Sequence, residues 1–177
     1  MNSKLILGTV QFGQDYGINN KTGKISLANI RLILDYAFNN GIRFLDTAEA
    51  YGDAQIIIGE YHKKSKNKFE IITKFSSKIQ GFPSEITQRI YHNLKVLNVN
   101  KLFSYMFHSY EEFDIYFKHF KQHLLSLKRE GIITHLGVSL YTNEQIEKIL
   151  KFDEITLIQI PYNLLDNENK RGDIIKK

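Results

Sequence analysis

The chain alternates six short apolar runs with amphipathic helical patterns along most of its length, and that rhythm limits the possible folds more than any other feature. The runs are "KLILGTV", "IRFLDTA", "FEIITKF", "LFSYMFH", "HLGVSL" and "LIQIPY". They are short and rich in Ile, Leu, Val and Phe, as strands of a parallel sheet covered on both faces are. The stretches between them read as helices. Ser26 is a suitable N-cap for a helix with Leu27, Ile30, Leu34, Ala37 and Phe38 on one face and Gly41 as its stop. A second helix starts at Asp53 and carries Ile57, Ile58 and Tyr61. A third follows Pro83 and Ser84, with Ile86, Ile90, Leu94 and Leu97 in register, and a fourth runs from about Glu111 to Glu130 before Gly131. Thr142 and Gln145 have the spacing of a capping box ahead of Ile146, Ile149 and Leu150.

Strict strand–helix alternation predicts right-handed βαβ units and a parallel sheet. No low-complexity linker or charge block divides the chain, so one domain over residues 1–177 is expected. An open doubly wound sheet and a barrel both suit the rhythm. A dinucleotide-binding doubly wound sheet calls for Gly-x-Gly-x-x-Gly after its first strand. No Gly-x-Gly occurs in the chain, and the first run leads into "GTVQFGQDYG" instead. That favours the barrel.

Composition excludes several function classes. With no cysteine, disulfides, thiolate metal sites and cysteine nucleophiles are ruled out. The apolar stretch Leu5 to Val10 is broken by Gly8 and is too short for a secretory core, and no stretch approaches the roughly 20 apolar residues of a membrane span. A cytoplasmic protein with no membrane partner is expected. The net charge is +5, but its densest cluster, "YHKKSKNK", falls where a helix ends, which suits a solvated terminus better than a nucleic-acid patch. His119 and His123 have i, i+4 spacing without the glutamate of a metalloprotease helix, so no metal site is expected.

In a βα barrel the chemistry sits at the C-terminal ends of the strands. The polar residues there are Asp46, Lys74, His108, Ser139 and Gln159, with Tyr51 in the loop after the second strand. A lysine ending an apolar strand is costly when desolvated unless it is paired, and Asp46 on the neighbouring strand supplies the partner. A phenol has an ordinary pKa of about 10, and a nearby ammonium lowers it. Tyr51 beside Lys74 is therefore a candidate general acid, with His108 orienting the same substrate oxygen. None of these groups can supply a hydride, so a cofactor must.

"GTVQFGQDYG", "GIRFLDTAEAYGDAQ", "ITKF", "MFHSY", "REGIITHLGVS" and "IQIPYNLLD" together resemble the successive blocks of the aldo-keto reductases. The resemblance covers about Leu5 to Asp166. It implies a (β/α)8 TIM-type barrel and NAD(P)H-dependent reduction of an aldehyde or ketone. It implies that Asp46, Tyr51, Lys74 and His108 match the catalytic tetrad, and that Thr9, Asp46, Ser139 and Gln159 lie at the cofactor, NADPH or else NADH. Leu140 stands where family members often have Asn. A complete barrel takes about 250 residues. The resemblance therefore implies about six βα units, ending just inside helix six, with the last two units and their cofactor contacts missing. Weak cofactor binding and self-association through exposed strand edges are expected. The alternative is a catalytically inactive truncated barrel that serves as an interaction module or survives as a remnant.

Overall fold

Six parallel strands form one sheet in simple chain order, each followed by helix, as the alternation predicts. The structure is a computed structural model and describes residues 3–79 and 85–176. The strands are β1 (Ile6–Gly8), β2 (Phe44–Asp46), β3 (Glu70–Phe75), β4 (Leu102–Phe107), β5 (Ile133–Ser139) and β6 (Ile155–Gln159). The helices are α1 (Val10–Gly13), α2 (Leu27–Asn39), α3 (Ala54–Lys64), α4 (Ile86–Leu97), α5 (Tyr110–Arg129), α6 (Asn143–Ile149) and α7 (Glu168–Ile175). Pro83 and Ser84, expected to open the third helix, lie outside the described residues.

The sheet curls into a half-barrel. A flat sheet with strands about 4.8 Å apart would separate its outer strands by about 24 Å. Here Ile6 and Gly8 of β1 line the same cavity as Leu157, Ile158 and Gln159 of β6, with Asp46, Ile72 and Met106 between them. Strand alternation sorts the two faces. Leu45 is wholly buried toward the helices while its neighbour Asp46 faces the cavity. Thr73 receives a 2.7 Å hydrogen bond from Gln55 of α3, which places Lys74 on the concave side. The helix-facing core includes Ile30, Leu34, Ile58, Ile71, Ile90, Leu97, Leu124 and Leu136, all almost fully buried. Each such side chain contributes about 1.5–3 kcal/mol of transfer free energy.

The caps follow the sequence. Ser26 accepts from the Asn29 amide, Ser109 from that of Glu112, and Thr142 with Gln145 makes the full capping box. Gly41 (φ 83°) and Gly131 (φ 75°) end α2 and α5 in the left-handed region. Several boundaries differ from the expected ones. The first strand stops at Gly8, because the chain turns into the single turn α1 at Thr9. β5 begins earlier, at Ile133. β6 lies toward the N-terminal side of its apolar run and ends before Pro161, which has no amide for a ladder.

β1 and β6 are the sheet's two edges, and Ile6 and Ile158 are 50% and 37% exposed there. The turn α1 closes tightly on the loop before α3. A Cβ on Gly13 would lie 1.8 Å from the Tyr51 carbonyl oxygen, and one on Gly52 (φ 54°) 2.6 Å from the Gly13 carbonyl oxygen. His62 ties α3 to its neighbours. Its Nδ1 donates to the Leu97 carbonyl at 2.8 Å, and its Nε2 accepts from the Phe69 amide at 3.3 Å, a pairing that requires the neutral ring.

Two outcomes follow from these contacts. Gly13→Ala should lower stability by about 1–3 kcal/mol, the range of overpacking, and an unchanged urea midpoint would contradict the close approach. Burial holds His62 below its ordinary value of about 6.5, so the unfolded chain takes up the proton first as pH falls. Its contribution is complete above about pH 6.5 and is lost as pH drops through the depressed folded value. The fall in urea midpoint from about pH 7.5 to pH 5 should therefore be smaller in His62→Asn than in the parent, and equal falls would refute the linkage.

Candidate active site

The end of β2 and the loop after it bring two of the candidate residues to the C-terminal end of the sheet, and the neighbouring strands bring the rest. Asp46 ends β2 and pairs in register with Gly8 of β1 and Ile72 of β3. Lys74 sits two residues beyond Ile72 on the same face. Its Nζ donates to Asp46 Oδ1 at 2.5 Å and to the Thr47 carbonyl at 3.2 Å, and the residue is 1% exposed. Tyr51 lies over this pair, with Lys74 Nζ 5.3 Å from its ring centroid. His108 follows β4 immediately and meets Tyr51 edge to face, ring centroids 5.7 Å apart. Asp46, Tyr51, Lys74 and His108 thus converge, as their strand-end positions suggest.

The electrostatics differ from the expectation in one respect. The expected fall in the Tyr51 pKa is absent, and the phenol is raised above its ordinary value. Burial is the largest cause, followed by the Asp46 carboxylate and the Tyr16 and Tyr141 phenols. Lys74 faces Asp46 at hydrogen-bond distance and the tyrosine only from farther away, so its charge is largely matched by the carboxylate. Burial lowers the Lys74 ammonium, with Asp46 opposing. Burial and then the charge of Lys74 lower His108, which favours the neutral ring with one N–H donor.

The other candidates divide. Ser139 and Gln159 stand side by side across the β5–β6 ladder. Gln159 lines the cavity beside Asp46, and its side-chain amide has no hydrogen bond to the described residues. A free amide beside a serine hydroxyl fits a carboxamide-bearing group. Thr9 is committed elsewhere. It is fully buried, and both its amide and its hydroxyl donate to the Asp46 carbonyl, at 3.0 and 2.9 Å. It braces the strand end that carries Asp46. Leu140 is fully buried in the core and offers no polar group to the cavity.

Sequence reasoning missed a second polar cluster around Glu49, in the middle of the same loop. Glu49 is paired with Arg89 and Asn93 of α4, Tyr105 of β4 and the amide of Ser76. One signal was available. Arg89 and Asn93 fall on the same helical stripe as Ile86, Ile90 and Leu97, where a polar residue needs a buried partner. Glu112 acts similarly at the start of α5, accepting from the Ser77 amide at 2.7 Å and from its hydroxyl at 2.9 Å.

Comparison with known proteins places the chain in a family. The pattern of the aldo/keto reductase family matches residues 4–176. Probable aldo-keto reductase 1 of Glycine max is 28% identical over 143 residues, 75% of this chain and 41% of that protein. Norsolorinic acid reductase B of Dothistroma septosporum is 34% identical over 79 residues, 42% of this chain and 20% of that protein. Each match covers less than half of the relative. Among solved structures, a candidate aldo-keto reductase of Pseudomonas aeruginosa superposes with a TM-score of 0.77 at 26% identity, over 99% of this chain and 68% of that one. An aldo-keto reductase of Klebsiella pneumoniae in complex with NADPH has the same fold, with a TM-score of 0.65 at 20% identity over 89% of this chain and 54% of that one. The six parallel strands are thus part of a (β/α)8 barrel, and the family pattern runs over nearly the whole of them: this chain belongs to the aldo/keto reductase family.

Proposed function

We propose that this chain carries the reducing site of an NAD(P)H-dependent carbonyl reductase, with Tyr51 as the proton donor. The observation that supports it most is the placement of Tyr51 between a buried Lys74–Asp46 pair and His108. The substrate is an aldehyde or ketone whose oxygen accepts hydrogen bonds from the Tyr51 hydroxyl and the neutral His108 ring. NADPH, or NADH, supplies the hydride to the carbonyl carbon when bound.

The work of the chain's own residues is to stabilise and neutralise the oxygen. As the carbonyl carbon is reduced, its oxygen gains alkoxide charge, and the preoriented donors bind it more strongly than they bind the neutral ground state. Because burial raises the phenol still further above neutrality, Tyr51 keeps its proton until the strongly basic oxygen takes it. The phenolate that remains then faces the Lys74 ammonium. Ser139 and Gln159 suit the carboxamide of the nicotinamide ring, and Gly8, which lines the same cavity as Gln159, leaves space there, since a Cβ on it would touch nothing within 4 Å. The exposed edges β1 and β6 are the surfaces through which copies of the chain would associate.

The test is NADPH titration with carbonyl reduction, on the parent and on Tyr51→Phe. The 177-residue chain should bind NADPH more weakly than about 10 µM, because the contacts proposed for it among the described residues gather at the nicotinamide end. Any reduction by the parent should vanish in Tyr51→Phe while NADPH affinity is kept. Unaltered turnover in the variant would remove Tyr51 from the role of acid.

A further inference from the structure

Glu49 lies three residues after Asp46 and two before Tyr51, and the chemistry proposed above makes no use of it. It is 4% exposed, yet its carboxylate is fully engaged. Oε2 accepts from the Ser76 amide (3.1 Å) and from Arg89 Nε (2.9 Å) and Nη2 (2.5 Å). Oε1 accepts from Asn93 Nδ2 (2.7 Å) and the Tyr105 hydroxyl (2.9 Å). Taking a carboxylate and a guanidinium out of water costs several kcal/mol each, and an apolar pair of similar volume is often as stable or more so. A buried charge pair beside a candidate acid therefore calls for a role other than stability.

Its connections suggest that role. The Glu49 amide donates to the Lys74 carbonyl at 3.1 Å, while its side chain reaches Arg89 on the other side. Arg89 also donates to the Ser76 carbonyl at 2.6 Å and lies 4.7 Å from the centroid of the Phe75 ring. Phe75 and Ser76 directly follow Lys74. One ion pair thus grips both the loop that carries Tyr51 and the strand end that carries Lys74. Tyr105 adds β4, three residues before His108.

We propose that Glu49 is a positioning residue: through Arg89 it sets the placement of the Tyr51 phenol relative to Lys74 and His108. The proposal deepens the reading of Tyr51 as proton donor and rests on it. Glu49→Gln keeps the shape and one acceptor oxygen but removes the charge. Arg89→Lys keeps the charge but loses the forked geometry.

The experiment follows three readouts in the parent and both variants. They are the ring carbon–proton NMR signal of His108, assigned with His108→Gln, the kcat and KM of carbonyl reduction with NADPH, and the urea midpoint. Because the His108 ring meets Tyr51 edge to face, its signal reports their relative placement. In the folded variants the His108 signal should move or broaden, and kcat should fall about 100-fold with KM unchanged, the scale of an ångström-sized misplacement. A lowered urea midpoint with the parent His108 signal and kcat would show a purely structural role and overturn the proposal. If the parent reduces no carbonyl, the functional reading fails, and the His108 signal alone decides the role of Glu49. If Glu49→Gln does not fold, Arg89→Lys decides, and failure of both to fold overturns the proposal in favour of a folding role.

Discussion

A lysine that is 1% exposed at the end of an apolar strand is tenable only because Asp46 meets it at 2.5 Å. Ionised alone in that position, Lys74 would carry a desolvation cost of several kcal/mol. The β2–β3 register makes the pairing possible, since it places Asp46 beside Ile72 and one step below Lys74 on the concave face. The pair then governs its surroundings. The Lys74 ammonium holds the Thr47 carbonyl and the Lys74 carbonyl holds the Glu49 amide, so the loop leaves β2 in one direction. Tyr51 and His108 close over the result.

Support for this pair comes from three sides. Thr9, just past β1, fixes the Asp46 carbonyl. The Gly13–Gly52 contact presses α1 against the Tyr51 turn with no room for a side chain. The Glu49–Arg89 ion pair ties that loop to α4 and to the residues after β3. Polar groups in such a frame are worth more than exposed ones because little water competes for them. The same dryness raises the Tyr51 phenol, so this frame favours a held proton over a strong acid.

Much of this was legible in the sequence, for physical reasons. The central strands β3, β4 and β5 read as apolar runs because they are mostly buried, and Ser26, Thr142 and Gln145 announced their helices by cap chemistry. Strand-end polar residues pointed to one rim because a parallel βα sheet sends all its C-terminal ends the same way. Local pattern could not show that Thr9 would turn into α1 and shorten the first strand. The Glu49 cluster was hidden for a different reason. Its partners Arg89, Asn93 and Tyr105 lie 40 to 56 residues away, and such pairs become neighbours only after folding. The sign of the Tyr51 shift depends on burial and on how closely Lys74 faces Asp46, both three-dimensional quantities.

The most direct test of the account is the proton affinity of Lys74, followed by NMR of its side-chain carbon in the parent and in Asp46→Asn. Burial depresses the parent ammonium while Asp46 holds it up, so removing the carboxylate charge should drive the lysine to titrate at a distinctly lower pH. Titration of Lys74 at the same pH in both proteins would show that the ion pair does not sustain the buried charge, and the description of the site built on it would fail.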